Sequence, residues 1–274
     1  MSALSCQQNL CSCCALSSVC LPGEMNPGQI RDVSALVRSL GPLTRGQRVF
    51  SQNTPFSSCY FVKTGAVKTV TVSERGDERI LGFYLPGDVF GLSSMNRRSY
   101  SCSAIALEHT SICELPFRQL EQLARSIPEL QHHLFDLMSR EIANAENISM
   151  LLSSNTAEER VIALLLNVSE HHRQRKLSPL QFRLPMSRSD MGSFLGLAVE
   201  TVSRILGSLH KQGLINITGR TVVLLQPARL SQRLAVDPDA PATKGDDFCW
   251  SPGHSHTVAG VSGMPAANTS GTAR

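Results

Sequence analysis

The chain has 274 residues, which is room for two domains and their linkers, and a formal net charge of +4 at pH 7. With so mild a positive charge, any nucleic-acid binding would rest on a local patch and not on a uniformly basic surface. No apolar run approaches the length of a membrane span and no Lys or Arg precedes Arg31, so we expect a cytoplasmic protein with neither a membrane partner nor a signal peptide.

Cysteines are concentrated near the N-terminus. Five of the nine lie in the first twenty residues: Cys6, Cys11, Cys13, Cys14 and Cys20. An odd number of cysteines in a reducing compartment argues against a disulfide framework, so the crowding indicates a metal or cluster site. The run Cys11-x2-Cys14-x5-Cys20 supplies three thiolates, whereas iron–sulfur clusters and structural zinc both use four. The spacing leaves the fourth ligand open among Cys59, Cys102 and Cys113, and it leaves iron and zinc open as well.

The cysteine-rich loop over residues 1–22 is followed by a predicted sensor domain over residues 23–125. Between about residues 49 and 116, short β-type runs alternate with glycines and with Pro86-Gly87. Strands at this spacing predict a compact antiparallel β-roll.

Residues 126–155 predict one long helix. Ser126 and Glu129 have the spacing of a capping box, Pro128 suits the first turn, and nothing breaks the helical pattern until about Asn155. A narrow apolar seam of 3.5-residue period runs along it: Phe135, Met138, Ile142, Ala145, Ser149 and Leu152. The period alone is equally compatible with packing against the chain's own roll. Because the helix is longer than one side of a small roll, we favour a seam between two copies, in a homodimer.

Residues 156–228 predict a winged helix-turn-helix domain. Thr156 and Glu159 form the capping box of its first helix. Ser187 and Asp190 open the next helix, and a third begins at about Val199 after a break containing Gly196. Two β-rich runs then flank Thr218-Gly219-Arg220, as in a wing. This combination is typical of DNA-binding proteins.

The third helix of that domain is amphipathic. Val202, Ile205, Leu206 and Leu209 share one side, and the opposite stripe consists of Glu200, Ser203, Arg204, Gly207 and Lys211. The alternative interpretation is an ordinary surface hairpin of helices in which Glu200 and Arg204 form an ion pair. Beyond the wing, residues 229–274 are rich in Pro, Gly, Ser, Thr and Ala without apolar period, so we expect a disordered tail.

Several motifs carry a family resemblance over roughly residues 11–228. They are Cys11, Cys14 and Cys20, then TSICELPF around Cys113, ERGDERILGF, NTAEER and LGLAVETVSRILG. Together they resemble the fumarate and nitrate reduction regulator (FNR) group within the cyclic AMP receptor protein (CRP) superfamily. The resemblance implies an α+β fold: an N-terminal antiparallel β-roll similar to cyclic-nucleotide-binding domains, a long dimerisation helix and a C-terminal winged helix-turn-helix.

The resemblance also implies a cofactor. In this family a 4Fe–4S cluster would be held by Cys11, Cys14, Cys20 and Cys113, which makes the protein an oxygen sensor active under anaerobic conditions. The remaining cysteines match no ligand position: Cys6, Cys13, Cys59, Cys102 and Cys249. Cys13, beside Cys14, departs from the family pattern. A zinc-stapled or thiol-based redox regulator of the same superfamily is the alternative.

For DNA, the resemblance implies base contacts by Glu200, Ser203 and Arg204 on a TTGAT-N4-ATCAA-like palindrome. The chemistry suits this, because arginine can donate twice to guanine and a carboxylate can accept from a base amino group. Lys211 and Arg220 are the candidates for phosphate contacts.

Two further expectations concern partners. Gly76 and Asp77 match a surface that FNR-like activators present to RNA polymerase, although Gly-Asp also makes a plain β-turn. No cyclic nucleotide is expected, because Leu92 stands in Phe90-Gly91-Leu92 where a nucleotide-binding relative has a glutamate for the ribose. We expect no enzyme activity either, because no acid/base pair or nucleophile surrounds the cysteines.

Overall fold

Residues 11–234 are described by the structure, a computed structural model. Cys6, Cys249 and the tail from residue 235 onward lie outside the described residues, so the expectations for them stay predictions. Within residues 11–234, no helix is both long and apolar enough to cross a membrane.

The N-terminal cysteine-rich loop contains short helical elements. Cys11–Cys13 form a single 3-10 turn, followed by helix α1 (Ser17–Cys20) and helix α2 (Pro27–Leu36). Asn26 and Gln29 form a capping box at the start of α2, with Pro27 at the first helical position. The Ser34 hydroxyl of α2 accepts a hydrogen bond of 3.1 Å from the backbone N–H of Cys11. The cysteine loop is therefore attached to a capped helix.

Eight strands build the predicted β-roll. They are β1 (Arg38–Leu43), β2 (Arg48–Phe50), β3 (Ser58–Thr64), β4 (Val67–Val72), β5 (Glu78–Tyr84), β6 (Val89–Phe90), β7 (Ser103–Ala106) and β8 (Thr110–Pro116). Two antiparallel sheets result, with strand orders β1-β8-β3-β6 and β2-β7-β4-β5. The α+β class and the antiparallel roll are confirmed, and β1 and β2 lie before most of the runs on which the prediction was based.

Aromatic rings fill one end of the roll. The ring centroids of Phe50 and Tyr100 are 3.9 Å apart, and those of Tyr60 and Phe90 are 5.4 Å apart. The hydroxyls of Tyr60 and Tyr100 lie 3.2 Å from each other, and Tyr100 donates to the Ser58 carbonyl at 2.8 Å. Buried hydroxyls therefore have partners, and the rings occupy the space between the sheets.

Two helices leave the roll. Helix α3 (Phe117–Ser126) precedes α4 (Pro128–Ser154), which ends at an extended Asn155 as predicted. The capping box predicted at Ser126 is wrong. Ser126 closes α3, where its hydroxyl donates to the Leu123 carbonyl at 2.8 Å, and α4 starts at Pro128 without a side-chain cap.

The C-terminal domain follows the predicted order of elements. It comprises α5 (Ala157–Gln174), β9 (Gln181–Arg183), α6 (Arg188–Leu195), α7 (Val199–Lys211), β10 (Ile215–Thr218), β11 (Thr221–Leu224) and α8 (Pro227–Leu234). The capping boxes of α5 and α6 form as predicted. Strand β9 adds a third strand to the wing, in the order β10-β11-β9.

Helix α8 corrects the predicted start of the tail. A disordered segment was expected from residue 229, but the helix continues to Leu234. Leu230 is fully buried, and Arg233 forms an ion pair with Glu158 of α5. Composition alone misses such a helix, because its stability comes from packing against α5 and not from its own sequence.

One apolar core joins the two domains. Val70, Ile80 and Phe83 of the roll belong to the same buried cluster as the interior of the C-terminal domain. Phe83 meets Phe194 of α6 edge to face at 5.1 Å. Beside them, Lys68 of β4 contacts Asp190 of α6 at 2.9 Å. The C-terminal domain thus packs directly on the sheet that contains β4 and β5.

Gly46 and Gly65 both have a positive φ, but they differ in the space around a Cβ. Alanine substitutions at the two positions therefore distinguish the cost of backbone strain from the cost of a steric clash. Gly46 has φ +87° and Gly65 has φ +80°. A Cβ on Gly46 would meet nothing within 4 Å, whereas one on Gly65 would lie 2.8 Å from the Thr110 Cα.

We expect Gly46→Ala to lower the free energy of unfolding by about 1 kcal/mol, because alanine is strained at this positive φ. Gly65→Ala should cost roughly 2–4 kcal/mol, because backbone atoms block the methyl group. Urea unfolding of both variants measures the difference, and equal losses would contradict it.

Candidate DNA-binding surface and cysteine site

The turn between α6 and α7 depends on two glycines. Gly196 ends α6 in the left-handed conformation, with φ +66°. Gly192 lies one turn earlier, where a Cβ would come within 2.6 Å of the Leu197 carbonyl oxygen. Arg160 of α5 donates to the Leu195 carbonyl at 3.2 Å and so satisfies one of the helix's terminal acceptors. The two helices are therefore fixed relative to each other and to α5.

Helix α7 presents the predicted polar face. Its apolar residues Val202, Leu206 and Leu209 are buried, whereas Glu200 and Arg204 are exposed and Ser203 is partly buried. Within residues 11–234, no hydrogen bond or ion pair occupies the side chain of Glu200 or Arg204. Glu200 and Arg204 do not form the ion pair of the alternative interpretation, so both side chains are available to a partner.

The two candidate phosphate contacts differ in their surroundings. Lys211 is the last residue of α7 and is exposed. Arg220, in the wing turn between β10 and β11, is partly buried and donates to the Pro185 carbonyl at 3.0 Å. Arg220 thus links the wing turn to the segment between β9 and α6, with its other N–H donors remaining for a phosphate.

The loop proposed for polymerase contact is a tight hairpin turn between β4 and β5. The Gly76 N–H bonds to the Ser73 carbonyl at 2.9 Å, and the Asp77 N–H bonds to the Ser73 hydroxyl at 3.2 Å. Gly76 has φ +86°, and both Gly76 and Asp77 are exposed. The β-turn is present, and the polymerase contact stays a prediction.

Four cysteines from two distant segments meet at the N-terminal side of the roll. Cys11, Cys14 and Cys20 lie in the loop, and Cys113 lies on β8, opposite Phe61 of β3. All four have free, partly buried thiols. The loop is also attached to α4, because a ring nitrogen of His133 lies 3.1 Å from the Cys20 carbonyl. Neither His133 nor Ser34 stands out in the sequence, because each acts on a backbone group distant along the chain.

The acidities of these thiols reflect their proximity. Burial, followed by the neighbouring thiols of Cys14, Cys113 and Cys11, raises the pKa of Cys20 to about 12, while the Arg175 guanidinium acts in the opposite direction. Burial also raises the pKa of Cys113, against the lowering effect of Lys63. Four thiols that influence one another in this way share one electrostatic neighbourhood.

The four thiols do not form a ready-made site for a single metal ion in the described part of the chain. In the described part of the chain, no group of three or more His, Cys, Asp or Glu side chains is placed to hold a metal ion. A zinc ion would need its ligands about 2.3 Å away on all sides, whereas an iron–sulfur cluster is larger and keeps its four thiolates further apart. As a donor set, four free thiols fit a 4Fe–4S cluster.

The other described cysteines have different roles. Cys59 and Cys102 are buried in the roll, and burial raises the pKa of Cys59 to about 12. Both are packing residues. Cys13, beside Cys14, is exposed and is not among the free thiols of the described residues.

The position expected to exclude a cyclic nucleotide is apolar and buried. Leu92 is 4% exposed and packs in the cluster beneath the cysteine loop, while Arg97 and Arg98 are exposed. A buried leucine offers no hydrogen bond to a ribose. The absence of nucleotide binding nevertheless stays a prediction.

The predicted seam lies on an open side of α4. Phe135 and Ile142 are 53% and 61% exposed, and Ala145 and Ser149 are exposed as well. Met138 and Leu152 are partly buried. The chain's own contacts use a different stripe of the helix, which includes Leu130, Leu137 and Leu151. The alternative in which the seam packs against the roll is therefore wrong.

Comparison with known proteins agrees with this architecture. Residues 41–126 match the family model described as a cyclic nucleotide-binding domain, and residues 159–233 match the Crp-like helix-turn-helix domain. The transcriptional activator protein Anr of Pseudomonas aeruginosa is 42% identical over 220 residues, which cover 80% of this chain and 90% of that protein. This chain belongs to the CRP/FNR family, and its relatives place it in the FNR group.

Two further similarities support the assignment. The fumarate and nitrate reduction regulatory protein of Escherichia coli is 36% identical over 222 residues, covering 81% of this chain and 89% of that protein. The structure of FixK2 from Bradyrhizobium japonicum matches with a TM-score of 0.63 and 34% identity, over 72% of this chain and 95% of FixK2. As a CRP/FNR regulator, the protein is a DNA-binding transcription regulator and not an enzyme.

Base contact and phosphate contact are separable by substitution. We expect Arg204→Ala to cost about 1–3 kcal/mol of binding to the specific site and to relax discrimination at one base pair, because a bidentate contact is lost. Lys211→Ala should weaken binding to all sequences alike. Titration of each variant with specific and random DNA makes the comparison. Equal losses on both DNAs for Arg204→Ala would remove that side chain from base recognition.

Proposed function

We propose that this regulator senses oxygen through a 4Fe–4S cluster and, as a homodimer, binds a TTGAT-N4-ATCAA-like palindrome under anaerobic conditions. The observation that carries the proposal is the meeting of four free thiols from the N-terminal loop and from β8. A sensor needs a reactive group that contacts the protein interior and is also accessible to solvent, and these partly buried thiols meet that requirement.

The proposed ligands are Cys11, Cys14, Cys20 and Cys113. When bound, a 4Fe–4S cluster supplies a group that oxygen oxidises. The chain's own residues then determine the consequence. Three ligands lie on a loop that contacts α2 through Ser34 and α4 through His133. Loss of the ligand arrangement would free this loop and remove a contact on the helix that bears the seam.

Single Cys→Ser substitutions identify the ligands. We expect Cys113→Ser, and likewise a change of any loop ligand, to abolish the cluster, because three thiolates do not complete the set. Cys59→Ser is the matched control, since Cys59 lies on the neighbouring strand of the same sheet. Iron and acid-labile sulfide in anaerobically purified protein are the measurement. Normal iron content in Cys113→Ser would exclude it as a ligand, and zinc without sulfide would favour the zinc-stapled alternative.

The dimer is supported by the open seam of α4. Phe135 and Ile142 expose large apolar side chains on a 27-residue helix, and a second copy related by two-fold symmetry would cover them with the same stripe. Such a dimer places two α7 helices for a palindrome. In the same proposal Glu200, Ser203 and Arg204 contact bases, Lys211 and Arg220 contact phosphates, and the Gly76-Asp77 turn faces RNA polymerase.

The seam lacks a charge that would oppose association. Ala145 is small and neutral, whereas an acid at this position would face its own copy across the symmetry axis. Glu141 lies off the seam, where burial and the nearby Asp88 carboxylate raise its pKa to about 8. Near neutral pH Glu141 is therefore largely protonated and adds little negative charge. We infer a dimer that depends less on its cluster than one with an acid in the seam.

Sedimentation of cluster-free protein measures this dependence. We expect Ala145→Asp to weaken dimerisation roughly fivefold or more, which is about 1 kcal/mol, because two like charges meet at the axis. Ala143→Asp introduces the same charge at an exposed position outside the seam and is the matched control. If all three proteins dissociate equally at micromolar concentration, Ala145 has no part in setting the dimer's stability.

A further inference from the structure

Arg175, just beyond the end of α5, connects the two domains. Its Nε donates to the Pro86 carbonyl, and its Nη2 lies 3.0 Å from the Asp88 Oδ1. Its Nη1 donates to the His171 carbonyl at 2.9 Å and lies 3.0 Å from the His171 Nδ1. The Arg175 side chain is 6% exposed. A guanidinium of the C-terminal domain is thus buried against the turn between β5 and β6.

The acceptor side of this contact is equally buried. Asp88 is 5% exposed, and its Oδ2 accepts the Leu85 N–H at 2.8 Å. Burial lowers the pKa of His171, so its ring is neutral near pH 7, and Glu141 is largely protonated there. Arg175 is therefore the cation that balances Asp88. Removing one partner of such a buried pair leaves an uncompensated charge.

A second contact group joins β4 and β5 to α6. Lys68 pairs with Asp190, the Ile80 N–H donates to the Ser193 hydroxyl at 3.4 Å, and Phe83 packs on Phe194. The C-terminal domain is thus attached to the roll at two separate places. Two contact groups together restrict rotation of the C-terminal domain on the roll more than either one alone.

The consequence reaches both interaction surfaces. Helix α7 shares its core with α5, whose end is continued by Arg175. Helix α4 packs on the roll through Leu130 and Leu137. Arg175 therefore completes a rigid connection from the recognition helix, through α5 and the β5–β6 turn, to the helix with the seam. Its planar, forked donor group fixes an angle as well as a distance.

We propose that Arg175 is a positioning residue that sets the separation and angle of the two α7 helices, and thereby the half-site spacing that the dimer accepts. This rests on the proposed palindrome-binding dimer. A dimer of this kind contacts half-sites about one helical turn apart, and one extra base pair moves a half-site by about 3.4 Å and turns it by roughly 34°. A rigid connection between the seam and the recognition helix allows the dimer to reject such a change.

The cysteine loop touches the same turn. A Cβ on Gly87 would lie 3.0 Å from the Arg175 Nη2 and 3.1 Å from the Val19 Cγ1, so Gly87 separates these two groups with little spare room. Val19 belongs to α1, immediately before Cys20. Rearrangement of the loop would therefore disturb the turn that holds Arg175. Through this turn the loop can influence the half-site spacing that the dimer accepts.

Binding to DNA with altered spacers tests the role of Arg175. Cluster-loaded protein is titrated with TTGAT and ATCAA half-sites separated by three, four, five or six base pairs, and with a single half-site. We expect the wild type to prefer the four-base-pair spacer strongly. Arg175→Gln should lose roughly tenfold on that DNA, lose little on the half-site, and show a nearly flat preference among spacers. Arg173→Gln is the control, since Arg173 pairs with Glu170 at the exposed end of the same helix.

Amide hydrogen exchange of cluster-free protein provides an independent readout. In Arg175→Gln, exchange should accelerate at Leu85, Gly87 and Asp88, whose N–H groups are bonded within or beside the turn, and at Ile80, whose N–H bonds to Ser193. If Arg175→Gln does not fold, Arg175→Lys retains the charge without the fork and should show the same flattened preference to a smaller degree.

The outcomes separate the inference from the function on which it rests. Faster exchange at Leu85, Gly87 and Asp88 together with an unchanged spacer preference would overturn the positioning role and leave the dimer intact. Equal spacer preference in Arg175→Gln, Arg173→Gln and the wild type, without any change in exchange, would overturn it as well. A wild type without any spacer preference would instead refute the proposed palindrome, and the inference with it.

Discussion

The buried contact between Arg175 and Asp88 is the constraint on which the arrangement of the domains depends. An apolar interface alone permits sliding, because dispersion and the hydrophobic effect have no preferred direction. A guanidinium with its donors bonded to the Pro86 carbonyl, Asp88 and His171 permits very few orientations. The shared apolar core supplies the buried surface area of the domain interface, and the ion pair fixes the relative orientation of the two domains. Around that fixed interface the seam of α4 and the polar face of α7 both remain exposed.

The cysteine site also depends on a few contacts between segments that are far apart in the chain. The loop packs on the apolar cluster beneath it through Leu21, Cys11 and Cys20, and hydrogen bonds from Cys11 to Ser34 and between His133 and Cys20 fix its place. These contacts link the loop to α2 and α4, and Val19 links it to the turn beside Arg175. A change at the thiols would therefore alter contacts on α4 and at the domain interface together, as the proposed sensing function requires.

Local sequence signals predicted local structure well. The capping boxes at Thr156 and Ser187 form as expected, and α7 begins at Val199. Each depends on residues three or four positions apart, so neighbouring side chains suffice to specify it. The box predicted at Ser126 fails because α3 and α4 are separated by a single residue, and that serine is still part of α3. Helix α8 was missed for a related reason: it is stabilised by packing Leu230 against α5, and local sequence patterns do not show such a distant contact.

The sequence by itself determined the order of elements, the amphipathic recognition helix, the cysteine-rich loop and the apolar seam, because periodicity and spacing are properties of neighbouring residues. Only the tertiary structure decided which side of α4 is free, that Cys113 and not the buried Cys59 is among the thiols acting on Cys20, and that Arg175 meets Asp88. These pairs are far apart in the chain, so their contacts follow from how sheets and helices pack, which no local pattern encodes.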